Sequence, residues 1–353
     1  MTAEHPESEH PESEHPESEH PGLDLAVLGD WLPEHVDGAG SDLTATLIAG
    51  GKSNLTYRIS DGSSSWILRR PPVGHLLATA HDMGREYRMM SALEQTAVPV
   101  PTMYAMCDDA DVLGAPFYVM SEIDGVPYRA KSELAALGPQ RTRAISERLV
   151  DTLVDLHRVD PADVGLADAG RPEGFLGRQV QRWRKQFDAA HTREIPAMEK
   201  LYTMLADRVP ADTAPGIVHG DYRLDNVLVT PHDEMGAVVD WELSTIGDSL
   251  TDLALMLIYG RLAEITPGAV TDATAAPGYL SEREIVERYA AGSDRDLDDL
   301  GFYIALGCFK LAGIVEGIHY RYVNGQTVGD GFSQLGDGVF GLLDAGIAAL
   351  KEN

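Results

Sequence analysis

Apolar residues change their spacing once along this chain, and that change limits the possible folds more than any other feature. Between residues 43 and 122 they fall in short runs. Thr44 to Ile48 and Thr56 to Ile59 flank a glycine turn, Trp66 to Arg69 follows Asp61-Gly62, and Phe117 to Met120 runs up to Asp124-Gly125. Short apolar runs punctuated by turn residues read as strands. One helix interrupts them, with Met83, Tyr87 and Met90 on one face and Pro99 and Pro101 beyond its end. After residue 122 the spacing becomes helical, as in Ile145, Leu149, Leu153 and Leu156, or Leu176, Val180, Trp183 and Phe187. Ser281 with Glu284 has the capping-box pattern that opens a further helix. The only strand-like piece expected in this half is Asn226 to Val229 and Ala237 to Asp240, joined by Pro231-His232-Asp233-Glu234. The expectation is an α+β chain in two lobes: a small N-terminal antiparallel sheet lobe with one helix (23–122) and a larger, mostly helical C-terminal lobe (123–353).

Residues 1–22 stand apart. Glu-His-Pro-Glu-Ser repeats three times from Glu4 and ends in Glu19-His20-Pro21. The repeat has no apolar face, and its prolines interrupt any helix or ladder, so it reads as a disordered acidic extension. Net charge is −28, from 28 basic and 56 acidic residues, and removing the tail's seven glutamates still leaves about −21. A surface this acidic repels phosphate backbones and anionic lipids, so neither nucleic acid nor a membrane is an expected partner. No stretch stands out as an unbroken apolar run of membrane-spanning length, and the polar N-terminus is unlike a secretory signal. Two cysteines, Cys107 and Cys308, cannot build a disulfide framework. A cytoplasmic protein, monomer or homodimer, is expected.

The strand-like hairpin carries the chemistry. His219-Gly220-Asp221 precedes it, Asn226 opens it and Asp240 ends it. Three oxygen-bearing side chains placed this way suit Mg²⁺, a hard ion that is commonly shared with substrate phosphates. Asn226 and Asp240 are the candidate metal ligands, which leaves Asp221 to accept a proton from an incoming hydroxyl. Base, metal-binding Asn and metal-binding Asp come in the order found in protein-kinase-like phosphotransferases. A metal hydrolase would instead show paired histidines at helical spacing, and no HExxH pair occurs.

The stretch from Ile217 to Asn226 resembles the catalytic loop of the aminoglycoside phosphotransferase family. Val239-Asp240-Trp241-Glu242, with Gly247-Asp248 and Asp252-Leu253-Ala254, is similar to that family's metal-binding segment. Gly50 to Tyr57, Leu68-Arg69-Arg70-Pro71-Pro72, Arg85-Glu86-Tyr87 and Arg182-Trp183 are closer to the branch associated with acyl-CoA dehydrogenases. The resemblance, which runs from about Leu43 to the C-terminus, implies a protein-kinase-like fold and an ATP-dependent small-molecule kinase with ATP and Mg²⁺ as cofactors. Gly50, Gly51, Ser53 and Asn54 are then the candidate nucleotide loop.

Arg69 stands on the third strand where kinase-like enzymes generally carry Lys, with Glu86 as its carboxylate partner; a plain ion pair is the other reading of the two. Arg223, two residues after Asp221, is placed to offset charge on the transferring group. The adenine is expected against backbone groups of Ser121, Glu122 and Ile123, on the resemblance alone. Asp252 is expected to anchor the catalytic loop, and His219 and His157 to be packing residues.

The acceptor is a small-molecule hydroxyl. The branch implies a hydroxyacyl-CoA for some relatives and antibiotics for others. Arg178, Arg182, Arg184 and Lys185 could receive an anionic acceptor or form a solvated face. A nucleotide-binding pseudokinase without transferase activity is the competing class.

Overall fold

The computed structural model describes residues 20–48, 54–73, 82–265, 271–326 and 336–351. The chain forms two compact units, Met1–Met83 with Tyr104–Met120, and Gly84–Met103 with Ser121–Asn353. Gly50, Gly51 and Ser53 lie outside the described residues, as do residues 1–19 of the tail.

The first unit is built on a five-stranded sheet in the order β1-β2-β3-β5-β4, with β1 Thr44–Leu47, β2 Leu55–Ser60, β3 Ser65–Arg70, β4 Met103–Cys107 and β5 Phe117–Ser121. The first two pairings are antiparallel, and the β2–β3 register sets Thr56 opposite Arg69 and Tyr57 opposite Leu68. Alternation along β3 sorts its side chains. Trp66 and Leu68 join the apolar core with Tyr57, Ile59, Phe117 and Val119, and Arg70, on the same face, donates to the Leu113 carbonyl at 2.8 Å. Arg69 points to the opposite face.

Helix α1 (Leu25–His35) covers this core with Leu28 and Leu32, and the Asp24 carboxylate caps it by accepting from the amides of Ala26 and Val27. Its close approach needs a glycine, because a Cβ on Gly29 would lie 2.4 Å from the Ser41 carbonyl oxygen. The end of the acidic tail is part of the fold: the Tyr57 hydroxyl donates to the Pro21 carbonyl at 2.6 Å.

The expectation of one helix between residues 23 and 122 is corrected. Besides α2 (Met83–Leu93), α1 and the single turn α3 (Ala110–Leu113) are helical, and β4 is a further strand.

In the second unit α2 is fastened by Arg88, which pairs with Asp168 and donates to the Gly165 carbonyl. The remaining helices are α4 (Lys131–Leu137), α5 (Pro139–Arg158), α6 (Phe175–Ala190), α7 (Pro196–Ala206), α8 (Leu250–Ile265), α9 (Glu282–Gly292), α10 (Leu300–Val323) and α11 (Gly338–Ala349). Helix α9 opens on the expected capping box, with Ser281 and Glu284 each bonded to the other's backbone amide.

By length and composition α10 is long and apolar enough to cross a membrane, but it is not an unbroken apolar run. Most of it is buried, against α6, α8 and α11, and it carries Lys310 and Glu316.

Two strand pairs, not one, hold the segment from Gly216 to Gly247. The expected hairpin forms as β7 (Val227–Val229) and β8 (Met235–Val238), while β6 (Gly216–Val218) pairs antiparallel with β9 (Thr245–Gly247). The second pair escaped the sequence reading because three-residue strands show no period. Cys107 and Cys308 are buried free thiols.

Candidate functional site

Strand β6 delivers the chain to a loop whose backbone is fixed almost atom by atom. Asp252, buried in the first turn of α8, accepts the amide of His219 at 2.6 Å and that of Gly220 at 2.8 Å. This is the anchoring role expected of it. His219 is fully buried, and its Nδ1 takes the Asp221 amide at 3.3 Å while its Nε2 lies 3.0 Å from the Val239 carbonyl. These partners select the neutral tautomer protonated on Nε2, so the ring is a spacer between loop and strand and not a base. His157, also buried, bonds the Tyr289 hydroxyl through Nδ1 and stands 3.6 Å from Asp252. Burial pushes the His157 pKa down. Burial pushes Asp252 up, but its contacts with His157, His219 and the Gly220 amide outweigh this and leave it below the usual carboxylate range.

Gly220 has φ +88, and a Cβ there would lie 2.7 Å from the Leu243 carbonyl oxygen. Only glycine fits both demands. The turn it makes presents Asp221, whose two carboxylate oxygens have different partners. One accepts the Tyr259 hydroxyl, and the other accepts the Asn226 amide at 3.0 Å with Arg223 at 3.6 Å. Arg223 also pairs with Asp225 at 3.1 Å and lies 4.7 Å over the Tyr259 ring. Burial pushes the Arg223 guanidinium down, yet Asp221, Tyr259, Asp225 and Asp240 together hold it above its ordinary value. Asp225, left without a role by the sequence, is buried and raised by that burial against the pull of Arg223. The loop thus brings together Asp221, Arg223 and Asn226.

The Val239 amide bonds the Asn226 carbonyl at 2.9 Å, so Asn226 and Asp240 leave adjacent strands. Asp240 is a non-glycine residue at φ +69, ψ +56. A left-handed aspartate is strained, and such strain persists where the surroundings over-determine it. Its carboxylate converges with those of Glu86 and Glu242, with the three donor oxygens within 4.8 Å of one another. Three anionic oxygens so close fit a hard divalent cation. Glu86, assigned from sequence to steady Arg69, is fully buried in this group, and Glu242, which the sequence placed in the metal-binding segment without a role of its own, joins it.

Of the other residues expected to bind nucleotide, Asn54 is buried beside β2 and Arg69 lies on β3, both in the first unit. In the second unit, the Ser121 amide and hydroxyl both bond the backbone of Thr102 (2.9 and 3.0 Å), Glu122 is exposed, and Ile123 packs near Gly236.

A cavity of about 590 Å³ in the second unit reaches the catalytic loop at Val218 and Gly220. Arg85, Arg171, Arg178, Arg182 and Lys310 line it, and the one carboxylate among the described lining residues, Asp252, is already bonded to the loop. Helix α6 divides its basic residues between two faces. Arg178 and Arg182 face the cavity, while Arg184 turns away to pair with Asp188 and Glu199. Arg178 is held there by the carbonyls of Arg171 and Glu173.

Sequence reasoning missed Tyr259 and Lys310. Tyr259 follows Asp252 by seven residues, two helical turns along the same face, which is the one signal that pointed to it. Lys310 was visible only as a cation in the middle of a largely apolar helix.

Residues 44–287 match the model of the Phosphotransferase enzyme family (APH). Acyl-CoA dehydrogenase family member 11 of Rattus norvegicus is 38% identical over 317 residues, covering 86% of this chain and 40% of the relative. The chain therefore spans about two-fifths of that relative's length. A crystal structure described as a candidate aminoglycoside phosphotransferase from Ralstonia eutropha JMP134 superposes with a TM-score of 0.82 at 32% identity, covering 93% of this chain and 98% of the other. Aminoglycoside phosphotransferase APH(4)-Ia, solved as a thermostable mutant in a ternary complex with AMP-PNP and hygromycin B, shares the fold alone: its TM-score is 0.57 at 14% identity, with 92% and 98% covered. The kinase-like fold, the family match across most of the chain and the Ralstonia likeness lead to one conclusion: this chain belongs to the APH phosphotransferase family.

Proposed function

We propose that the chain is an ATP-dependent kinase that phosphorylates the hydroxyl of an anionic small molecule, with Asp221 as base. The observation that carries this is the fixed Asp221 carboxylate. Its backbone is held by Asp252 at the two preceding amides and by His219 at its own amide, and its oxygens are oriented by Tyr259 and Asn226. Magnesium-bound ATP, when present, supplies the transferable phosphoryl group and charge neutralisation. Asp240 with Asn226, and Glu86 and Glu242 beside Asp240, are the residues whose oxygens would hold the metal. Asp221 orients the acceptor hydroxyl and takes its proton. Arg223, poised between Asp221 and Asp225, offsets charge on the transferring group. Arg69 and Asn54 would contribute to the phosphate grip, and the backbone of Ser121 to Ile123 to the adenine.

The cavity favours an anionic acceptor. A polycationic aminoglycoside would meet five cations there, whereas a phosphate-bearing acyl thioester such as a hydroxyacyl-CoA would find charge complementarity. The name of the rat relative points the same way, although most of that protein's length has no counterpart in this chain.

The test is a panel of hydroxylated CoA esters, other metabolites and aminoglycosides, scored by ATP consumption and product mass. Asp221→Ala should keep its Mg·ATP affinity and lose about 10²–10⁴-fold in turnover. Asp240→Ala should lose metal-dependent nucleotide binding. Retained turnover in Asp221→Ala removes that residue from its role. Tight Mg·ATP binding with no acceptor phosphorylated leaves the pseudokinase reading.

A further inference from the structure

Helix α10 is uncharged from Leu300 to Phe309, and Lys310 is its first charged residue. A lysine so placed is costly unless its ammonium finds strong acceptors. Its partner is a backbone carbonyl: Nζ donates to Gly220 O at 2.9 Å. The ammonium also stands 5.7 Å from the centre of the Trp183 ring, and Lys310 and Trp183 both line the basic cavity. Burial pushes the Lys310 pKa down, while Asp221 and Asp252 push it back up.

The Gly220 carbonyl belongs to the same peptide plane as the Asp221 amide. That plane has one end on Lys310, through the carbonyl, and the other on His219 Nδ1, through the amide. The preceding two amides are on Asp252. Without Lys310 the plane would keep only the 3.3 Å contact to His219, at a glycine whose φ of +88 gives no side-chain restraint. The direction in which Asp221 leaves the backbone depends on this plane.

We propose that Lys310 is a positioning residue for phosphoryl transfer: from the wall of the acceptor cavity its ammonium clamps the Gly220–Asp221 peptide and so aims the Asp221 carboxylate. The assignment rests on Asp221 being the base, as inferred above, but the clamp itself is measurable without any acceptor.

The test compares the full chain with Lys310→Met, of similar length and no charge, and Lys310→Arg, which keeps the donor. Hydrogen exchange is followed on peptides spanning His219 to Leu224. Removing a hydrogen bond to a charged donor should speed exchange of that segment by about tenfold or more in Lys310→Met. The melting temperature should not fall, because a desolvated cation has been replaced by an apolar side chain. Mg·ATP affinity should stay within about threefold, and kcat with an accepted substrate should fall about 10²-fold through misaimed chemistry. Lys310→Arg should restore most of the protection and the rate.

Unchanged loop exchange in Lys310→Met overturns the proposal. So does a rate loss accompanied by equal losses in nucleotide affinity and melting temperature, which would make Lys310 merely structural. A wild-type chain that binds no Mg·ATP defeats the kinase reading separately, and the exchange experiment still decides whether the clamp exists.

Discussion

Asp252→Ala tests whether the catalytic loop is held from beneath. The native carboxylate is fully buried and accepts two amides, at 2.6 and 2.8 Å, with His157 a further 3.6 Å away. Bonds to a charged acceptor are worth about 1.5–3 kcal/mol each. Truncation removes both and strands two buried N–H groups, but it also relieves the desolvation of the carboxylate, so a net loss of about 3 kcal/mol is expected. For a unit of this size each kcal/mol moves the melting temperature by roughly 2–4 °C, giving a fall of about 6–12 °C. Differential scanning fluorimetry at neutral pH reads this directly.

The sign of the pH dependence is fixed. The folded pKa of Asp252 lies below its unfolded value of about 3.9, so its stabilisation is complete above that value and lost as pH falls through the folded pKa. The stability gap between wild type and Asp252→Ala should therefore be constant near neutrality and narrow only below about pH 4. A fall of less than about 2 °C, or a gap that widens towards acid, would refute the anchoring argument.

Three further outcomes follow from the same geometry. Gly220→Ala combines a left-handed φ with a Cβ 2.7 Å from the Leu243 carbonyl, and should cost at least about 2 kcal/mol in thermal unfolding together with most of the turnover. Glu86, Asp240 and Glu242 hold oxygens within 4.8 Å of one another, a spacing that suits a hard divalent cation. Millimolar Mg²⁺ or Mn²⁺ should therefore raise the melting temperature, and Glu242→Gln should shrink that rise. Arg182→Glu places a carboxylate on the cavity wall and should weaken coenzyme A binding, read by calorimetry, at least about tenfold; unchanged affinity would detach the cavity from anion recognition.

What the sequence revealed of this site divides by the range of the interaction. Asp221, Asn226 and Asp240 were readable because one short loop and the hairpin that follows it carry all three, and spacing over so short a stretch is itself geometry. Ser281 and Glu284 were readable for the same reason, three residues apart in a reciprocal cap. The sheet lobe was legible from β2, β3 and β5, whereas β6 and β9, three residues each, were not: their pairing joins Gly216 to Gly247 across thirty-one positions. Tyr259 reaches Asp221 across thirty-eight positions, and Lys310 reaches Gly220 across ninety. No local pattern encodes such contacts.

What the sequence did record was each residue's incongruity, a lysine in an apolar helix and a tyrosine two turns from a buried aspartate. Both contribute polar groups to one loop from the helices beneath it. A base on a loop must be aimed by elements more rigid than the loop itself. In this chain that rigidity comes from α8, through Asp252 and Tyr259, and from α10, through Lys310. On the proposed reading the loop residues supply the chemistry, and the helices supply the direction in which it acts.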